Sequence, residues 1–433
     1  MSIYFEIAYA AASGRLCFFT GTGFSKAVTQ NAAPSWQALL EGMCVLLPSG
    51  PTLSNALFPP SGNNPLPLEE AAQVIDIEFQ RAGLSLHDSI AQQIRELNLS
   101  GDNSVISAFL AGNSFDVVTT NYDKLIERLV GSNCHSLAPG LPIPRAYAPV
   151  SVYHVHGSVD SPRQMVVTSD DYFRFLNGDS YFSRKLSTIL HESTVVILGY
   201  SLGDTNLKSI LSDYKGFSRS NFVGASIFLV SRSSVAQHIK DYYSHSFGIR
   251  VVDGLEIHEF FRSITGSMEA AKKCAATSRD NINKVLHQNH SYTDDYLRVQ
   301  SSFLEIIASI SAVGINISSD KVVELIGRIV ERKTAFTNEH NAWGQYTQLA
   351  QWLIYLCCIL ELRGTPIEGT VLAAVLRSMS TMSSSYMRGY SWHAYNAWAS
   401  GWSNIMPSNR ALLRSHVEAN CSWPDALRVV RSA

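Results

Sequence analysis

The chain has 433 residues, 46% of them hydrophobic, and a formal net charge of −2. That length admits two or three domains. The hydrophobic fraction excludes a disordered polymer, and the charge balance excludes the broad basic footprint of a nucleic-acid-binding protein. Met1-Ser2-Ile3-Tyr4-Phe5-Glu6 lacks the basic start and apolar core of a signal peptide. The most apolar helical stretch, Leu349 to Leu362, carries Gln351 and Glu361 and is too short to span a bilayer. The seven cysteines are scattered with no CxxC pair, which fits free thiols in a reducing compartment. A cytoplasmic chain without a membrane segment or a zinc site is expected.

Taken in chain order, short apolar runs alternate with helical patterns. Strands are expected at Arg15–Thr20, Phe115–Val118, Val152–Val155, Thr194–Leu198, Ala225–Val230 and Ile249–Val252. Most are continuous rather than alternating, as in strands covered on both faces of a parallel sheet. Helical spacing fills the gaps at Trp36–Leu40 and Leu125–Val130. The pattern predicts an α/β fold with a Rossmann-like, doubly wound parallel sheet. Six prolines between Pro48 and Pro67 predict a long loop, followed by a helical insertion over about 68–99. Near residue 265 the strand signals end. Val322, Leu325, Ile326, Ile329 and Val330 lie at helical spacing behind a possible cap at Ser319, and six of the seven tryptophans fall in this last part. Two units are therefore expected, an α/β domain over 1–265 and an all-helical domain over 266–433. Most of these tryptophans read as core. The Ser/Tyr/Trp-rich segment from Ser378 to Trp402 is the best interface candidate.

Four motifs sit where strands end: Gly21-Thr22-Gly23-Phe24-Ser25, Thr119-Thr120-Asn121-Tyr122-Asp123, His154-Val155-His156-Gly157-Ser158 and Gly199-Tyr200-Ser201-Leu202-Gly203-Asp204. The carboxyl ends of parallel strands line one crevice, where such sheets bind ligands. The glycine turn can admit a phosphate or be an ordinary tight turn. It departs from the Rossmann fingerprint, since Lys26 stands at the third glycine position. Asn121 can position a water or a ribose hydroxyl, and either Asn121 or Asp123 can cap the following helix. His154 and His156 would share a face of a regular strand, but no cysteine or carboxylate stands at ligand spacing. His154 reads as structural. His156, at the strand end, reads as an acid/base or ribose-binding group. Gly199 to Gly203 also fits G-x-S-x-G, so a serine hydrolase using Ser201 with Asp253 and His258 is an alternative, although these two lie only five residues apart.

The ordered set GTGFS, PSW, TTNYD, HVHGS and GYSLGD resembles the SIR2 (sirtuin-like) family, and most closely its bacterial antiviral-defence members, over residues 10–260. The resemblance implies NAD as substrate. It places the phosphates at Gly21, Thr22, Gly23 and Ser25, and the nicotinamide and its ribose at Asn121 and Asp123. It makes His156 the essential histidine and lays Gly199 and Ser201 along the dinucleotide. Protein-deacylating members carry a structural zinc ribbon of two CxxC pairs, which is missing here, so the resemblance favours NAD glycohydrolase activity that depletes cellular NAD. It also implies a homo-oligomer and a protein partner such as a HerA-type ATPase. A non-catalytic NAD or ADP-ribose sensor is the remaining alternative.

Overall fold

The computed structural model describes residues 3–177, 181–200, 227–288, 290–313, 315 and 319–432. Seven strands form one sheet: β1 (Leu16–Thr20), β2 (Phe115–Thr119), β3 (Cys134–Leu137), β4 (Val150–His154), β5 (Thr194–Leu198), β6 (Ile227–Val230) and β7 (Ile249–Val252). Their order is β3-β4-β2-β1-β5-β6-β7, and every pairing is parallel. The six expected strands are all present. β3 was not expected; it is an edge strand in which only Leu137 is buried. The chain leaves β1 toward β2 on one side and later returns beside β1 as β5. The β1–β5 boundary is thus the topological switch point, where open α/β sheets bind ligands.

Both faces of the sheet are covered, which is why its strands read as continuous apolar runs. One face carries Phe18, Val117, Val152, Val196 and Phe228 against helices that include Ile3–Ala12 and the first half of Ile257–His287. Phe18 meets Phe109, Phe115 and Phe261 with ring centroids 6.0, 5.3 and 5.4 Å away. Burying such a ring contributes about 1.5–3 kcal/mol. The other face packs Cys17, Phe19, Val195 and Ile197 against helices Tyr181–Glu192 and Gln237–Phe247.

One expectation is corrected. The Pro48–Pro67 stretch is not all loop, because helix Gly50–Leu57 forms within it with Pro51 in its first turn, a position where the missing N–H costs nothing. Helices Leu68–Arg81 and Leu86–Arg95 lie within the expected insertion. Trp36–Cys44, Leu68–Arg81 and Leu86–Arg95 share one core through Leu40, Ile75, Phe79 and Ile90. Residue 265, the expected domain boundary, lies inside the 31-residue helix Ile257–His287. Phe260, Phe261 and Ile264 of that helix join the sheet core, whereas Ile282 joins the C-terminal core.

The C-terminal part is helical. Helix Asp320–Phe336 starts after Ser319 as expected, yet the Ser319 side chain makes no capping bond. Trp352, Trp398 and Trp402 are fully buried, whereas Trp343 is 44% exposed. The seven cysteines are all free. Among the described residues no helix is long and apolar enough to cross a membrane.

Candidate functional site

The glycines at the switch point serve first to let two loops meet. Gly21 N–H donates to the Leu198 carbonyl (3.0 Å), Gly23 N–H to that of Gly199 (2.9 Å), and Phe24 N–H to that of Gly21 (2.9 Å). Gly199 has φ +74, and a Cβ there would lie 2.1 Å from the Phe24 nitrogen. A Cβ on Gly23 would meet the Gly199 Cα at 2.7 Å, and one on Gly21 would meet the Tyr200 ring at 2.8 Å. Only hydrogen fits at these three positions. This close approach brings helix Thr22–Val28, which carries Ser25, beside the loop after β2.

There the expected residues assemble. Asn121 Nδ2 donates to Ser25 Oγ (2.9 Å), which donates to Asp123 Oδ2 (2.7 Å). Asp123 Oδ1 accepts from Leu125 N–H (3.1 Å), so of the two candidate caps it is Asp123 that holds the start of helix Leu125–Val130. Burial raises the Asp123 pKa above the usual carboxylate range, against the opposing pull of the Ser25 hydroxyl. Thr120 Oγ1 lies 2.5 Å from the Tyr200 hydroxyl and ties the loop after β2 to the one after β5.

The two histidines separate. β4 ends at His154, so the strand's alternation stops before His156. His154 is fully buried, with Nδ1 3.0 Å from the Asn121 carbonyl oxygen and Nε2 2.7 Å from Glu127 Oε1. It is the structural histidine expected. His156 sits edge-on to Tyr172 and Phe175, with centroids 5.4 and 5.1 Å away. Burial lowers its pKa to about 4. Neither of its ring nitrogens has a hydrogen-bond partner among the described residues. Among those residues no group of three His, Cys, Asp or Glu is placed to hold a metal ion.

Thr22, Ser25, Asn121, Asp123, His156 and Tyr200 line one cleft, with Trp36 and Tyr172 in its walls. Gly21, Gly23 and Gly199 are not among its lining residues. Ser201 lies outside the described residues. The partners that the hydrolase alternative assigns to Ser201 are engaged elsewhere: Asp253 with the Val235 amide and Lys240, both at 2.7 Å, and His258 with Asn103 at 3.1 Å.

Sequence reasoning missed the residues that position this set. Glu127 is one. Another is Asp171, whose Oδ2 accepts from Val167 N–H (3.1 Å), Thr168 N–H (2.9 Å) and Thr168 Oγ1 (2.9 Å) and lies 3.0 Å from His87 Nε2. These bonds fix helix Ser169–Asn177, which carries Tyr172 and Phe175, onto the helical insertion. Burial opposes the charge on both partners. The Asp171 bonds nevertheless hold its carboxyl below the usual range, and the Asp171 carboxylate raises the His87 pKa. A raised histidine contributes stability below its unfolded pKa of about 6.5, and loses it as pH climbs through the folded value. We therefore expect His87→Ala to lower unfolding stability by about 1–2 kcal/mol near pH 6. It should also flatten the decline of stability above that pH, as read by denaturant titration. An unchanged pH profile would remove this clamp.

Comparison with known proteins gives a separate line of information. Residues 116–252 match the SIR2-like domain family. Defense-associated sirtuin 2 of Bacillus subtilis is 24% identical over 258 residues, covering 58% of this chain and 24% of that protein. NAD(+) hydrolase ThsA of Enterococcus faecium is 37% identical over 114 residues, covering 24% of this chain and 23% of that protein. ThsA of Bacillus cereus (strain MSX-D12) is 31% identical over 99 residues, covering 22% and 21%. The chain thus spans about a quarter of the length of these relatives. The sheet, its switch-point loops and this match together identify residues 116–252 as a SIR2-like domain.

Proposed function

We propose that the cleft is an NAD glycohydrolase site that cleaves NAD to nicotinamide and ADP-ribose. The observation that carries this reading is the Asn121–Ser25–Asp123 chain standing in one cleft with an uncharged His156 whose ring has no hydrogen-bond partner among the described residues. Breaking the nicotinamide–ribose bond passes through an oxocarbenium-like state, as glycoside cleavage does. Nicotinamide leaves neutral from its pyridinium form, so no general acid is required. Asn121 spends its amide N–H on Ser25, and its Oδ1 remains to accept from a water or a ribose hydroxyl. His156, kept neutral by burial, accepts the proton that the water or ribose releases. Asp123 binds the nicotinamide carboxamide, while Thr22 and Ser25, with Gly21, Gly23, Gly199 and Ser201, follow the dinucleotide.

The names of the relatives, a defence-associated sirtuin and NAD(+) hydrolases, support a role in antiphage defence through depletion of cellular NAD. Such an enzyme must be restrained, so the isolated chain is expected to be weakly active. The helical C-terminal region would then govern assembly, as a homo-oligomer or with a HerA-type ATPase, in the cytoplasm. Exposed Tyr386 stacks on Trp392 at 5.3 Å and offers an aromatic contact of the kind that anchors interfaces. Tyr386→Ala with Trp392→Ala should lower the oligomer mass seen by native mass spectrometry, or abolish capture of co-expressed partner. Unchanged assembly on both counts would end this assignment.

The serine-hydrolase reading makes the opposite prediction at Ser201. On the NAD reading Ser201→Ala is milder than His156→Ala, and a fluorophosphonate probe leaves the protein unlabelled. A covalent adduct on Ser201 would overturn the NAD reading in favour of acyl transfer.

A further inference from the structure

Both ring nitrogens of His154 face acceptors. Nδ1 lies 3.0 Å from a backbone carbonyl oxygen, that of Asn121, and Nε2 lies 2.7 Å from the Glu127 carboxylate. A neutral imidazole has one N–H and one lone pair. It would satisfy the carbonyl and then aim its lone pair at a carboxylate oxygen. Two N–H groups satisfy both contacts. We propose that Glu127 and His154 form a buried carboxylate–imidazolium pair that fixes the Asn121 backbone, making Glu127 a positioning residue for the catalytic asparagine.

The surroundings agree with this assignment. Glu127 Oε1 also accepts from Ser136 Oγ (2.7 Å) and from Lys124 Nζ (3.2 Å), so three donors converge on it. Lys124 is shared with Asp160 at 2.8 Å. Asp123 and Cys134 are the other titratable groups near the pair. Glu127 Oε2 is buried without a protein partner among the described residues. Burial alone would raise the Glu127 pKa; His154 and Lys124 overcome this and hold the carboxyl at about 2. Among the described hydrogen bonds of the two side chains, the one that reaches the cleft residues is that of His154 Nδ1 to the Asn121 carbonyl. The side chain of that same residue holds Ser25 and faces the substrate. Rotation of the imidazole would free that carbonyl and loosen the Asn121 amide.

The activity part of the test rests on the NAD reading; the spectroscopic part does not. In protein labelled with 15N-histidine, with His154 assigned by its loss in His154→Gln, both ring nitrogens should carry protons near neutral pH. Glu127→Gln keeps the shape and an amide oxygen that still accepts from Ser136 and Lys124, but removes the charge. There the ring should lose one of its two protons, while nicotinamide release falls less than in Glu127→Ala. Glu127→Ala leaves the ring unheld and should lower kcat by roughly 10–100-fold with KM little changed, the usual scale for removing an orienting partner of a functional side chain. A His154 ring carrying one proton in the wild-type protein would overturn the ion pair. Wild-type kcat in a folded Glu127→Ala variant would overturn the positioning role.

Discussion

His156→Ala and Asn121→Ala should each cut nicotinamide release by roughly 10²–10⁴-fold, the range for a positioned proton-transfer group, while both proteins remain folded. The His156 ring lies among Tyr172 and Phe175 and makes no hydrogen bond to a described residue, and its backbone bond from Val166 N–H survives the change to alanine. Asn121 donates a single side-chain bond, to Ser25, and its backbone bonds survive the change. The wild-type pH profile should carry the signature of His156. Because burial lowers its pKa to about 4, the base stays unprotonated through neutrality and well below the ordinary histidine value of about 6.5. Turnover should therefore hold steady as pH falls past 6 and decline toward 4. Near-normal turnover in both variants, measured by chromatography of nicotinamide, would refute the assigned roles. An acid limb centred at the ordinary histidine value would refute the burial of His156 as its cause.

Gly199→Ala should be the most damaging small change near the site. Two costs add at this position. With φ +74, any residue bearing a Cβ pays about 1–2 kcal/mol for the left-handed backbone. The new Cβ would also stand 2.1 Å from the Phe24 nitrogen, a backbone atom, and no side-chain rotation moves a Cβ aside. Relief of such overpacking costs typically about 1–3 kcal/mol, which gives about 2–5 kcal/mol in all. Relaxation would push helix Thr22–Val28 outward and carry Ser25 away from Asn121 and Asp123, so activity falls with stability. Gly248 supplies the control. It has φ +68 with nothing near its Cβ position, so Gly248→Ala pays only the backbone cost. Equal denaturation midpoints for the two variants would show that the β1–β5 approach is looser than described.

The strands and the site were legible for the same reason. Central strands of a parallel sheet are buried on both faces, so Leu16–Thr20 or Thr194–Leu198 announce themselves as unbroken apolar runs, and the polar residues just beyond them must face the crevice. Asn121, Asp123 and His156 stand out as candidates by that logic, whereas Ser25 comes from the family resemblance. Cys134–Leu137 escaped it because an edge strand is half-solvated and keeps polar residues. Glu127 escaped because a glutamate in a helix looks like surface charge until the fold places a buried histidine beside it. Tyr172 and Phe175 come from a helix held by Asp171 and His87, 84 residues apart in the chain, and no local pattern marks such a pairing. The change of character at residue 265 is real in composition but falls inside one helix, because the two ends of Ile257–His287 serve different cores.

The most direct test is a single-turnover assay. Purified chain is mixed with NAD at or below the enzyme concentration, so that a restrained enzyme still yields a countable product, and nicotinamide and ADP-ribose are quantified together. We predict equimolar release of both from the wild-type chain, and intact NAD with His156→Ala. NAD left intact by the wild-type chain, or released equally by the variant, would contradict the proposed site.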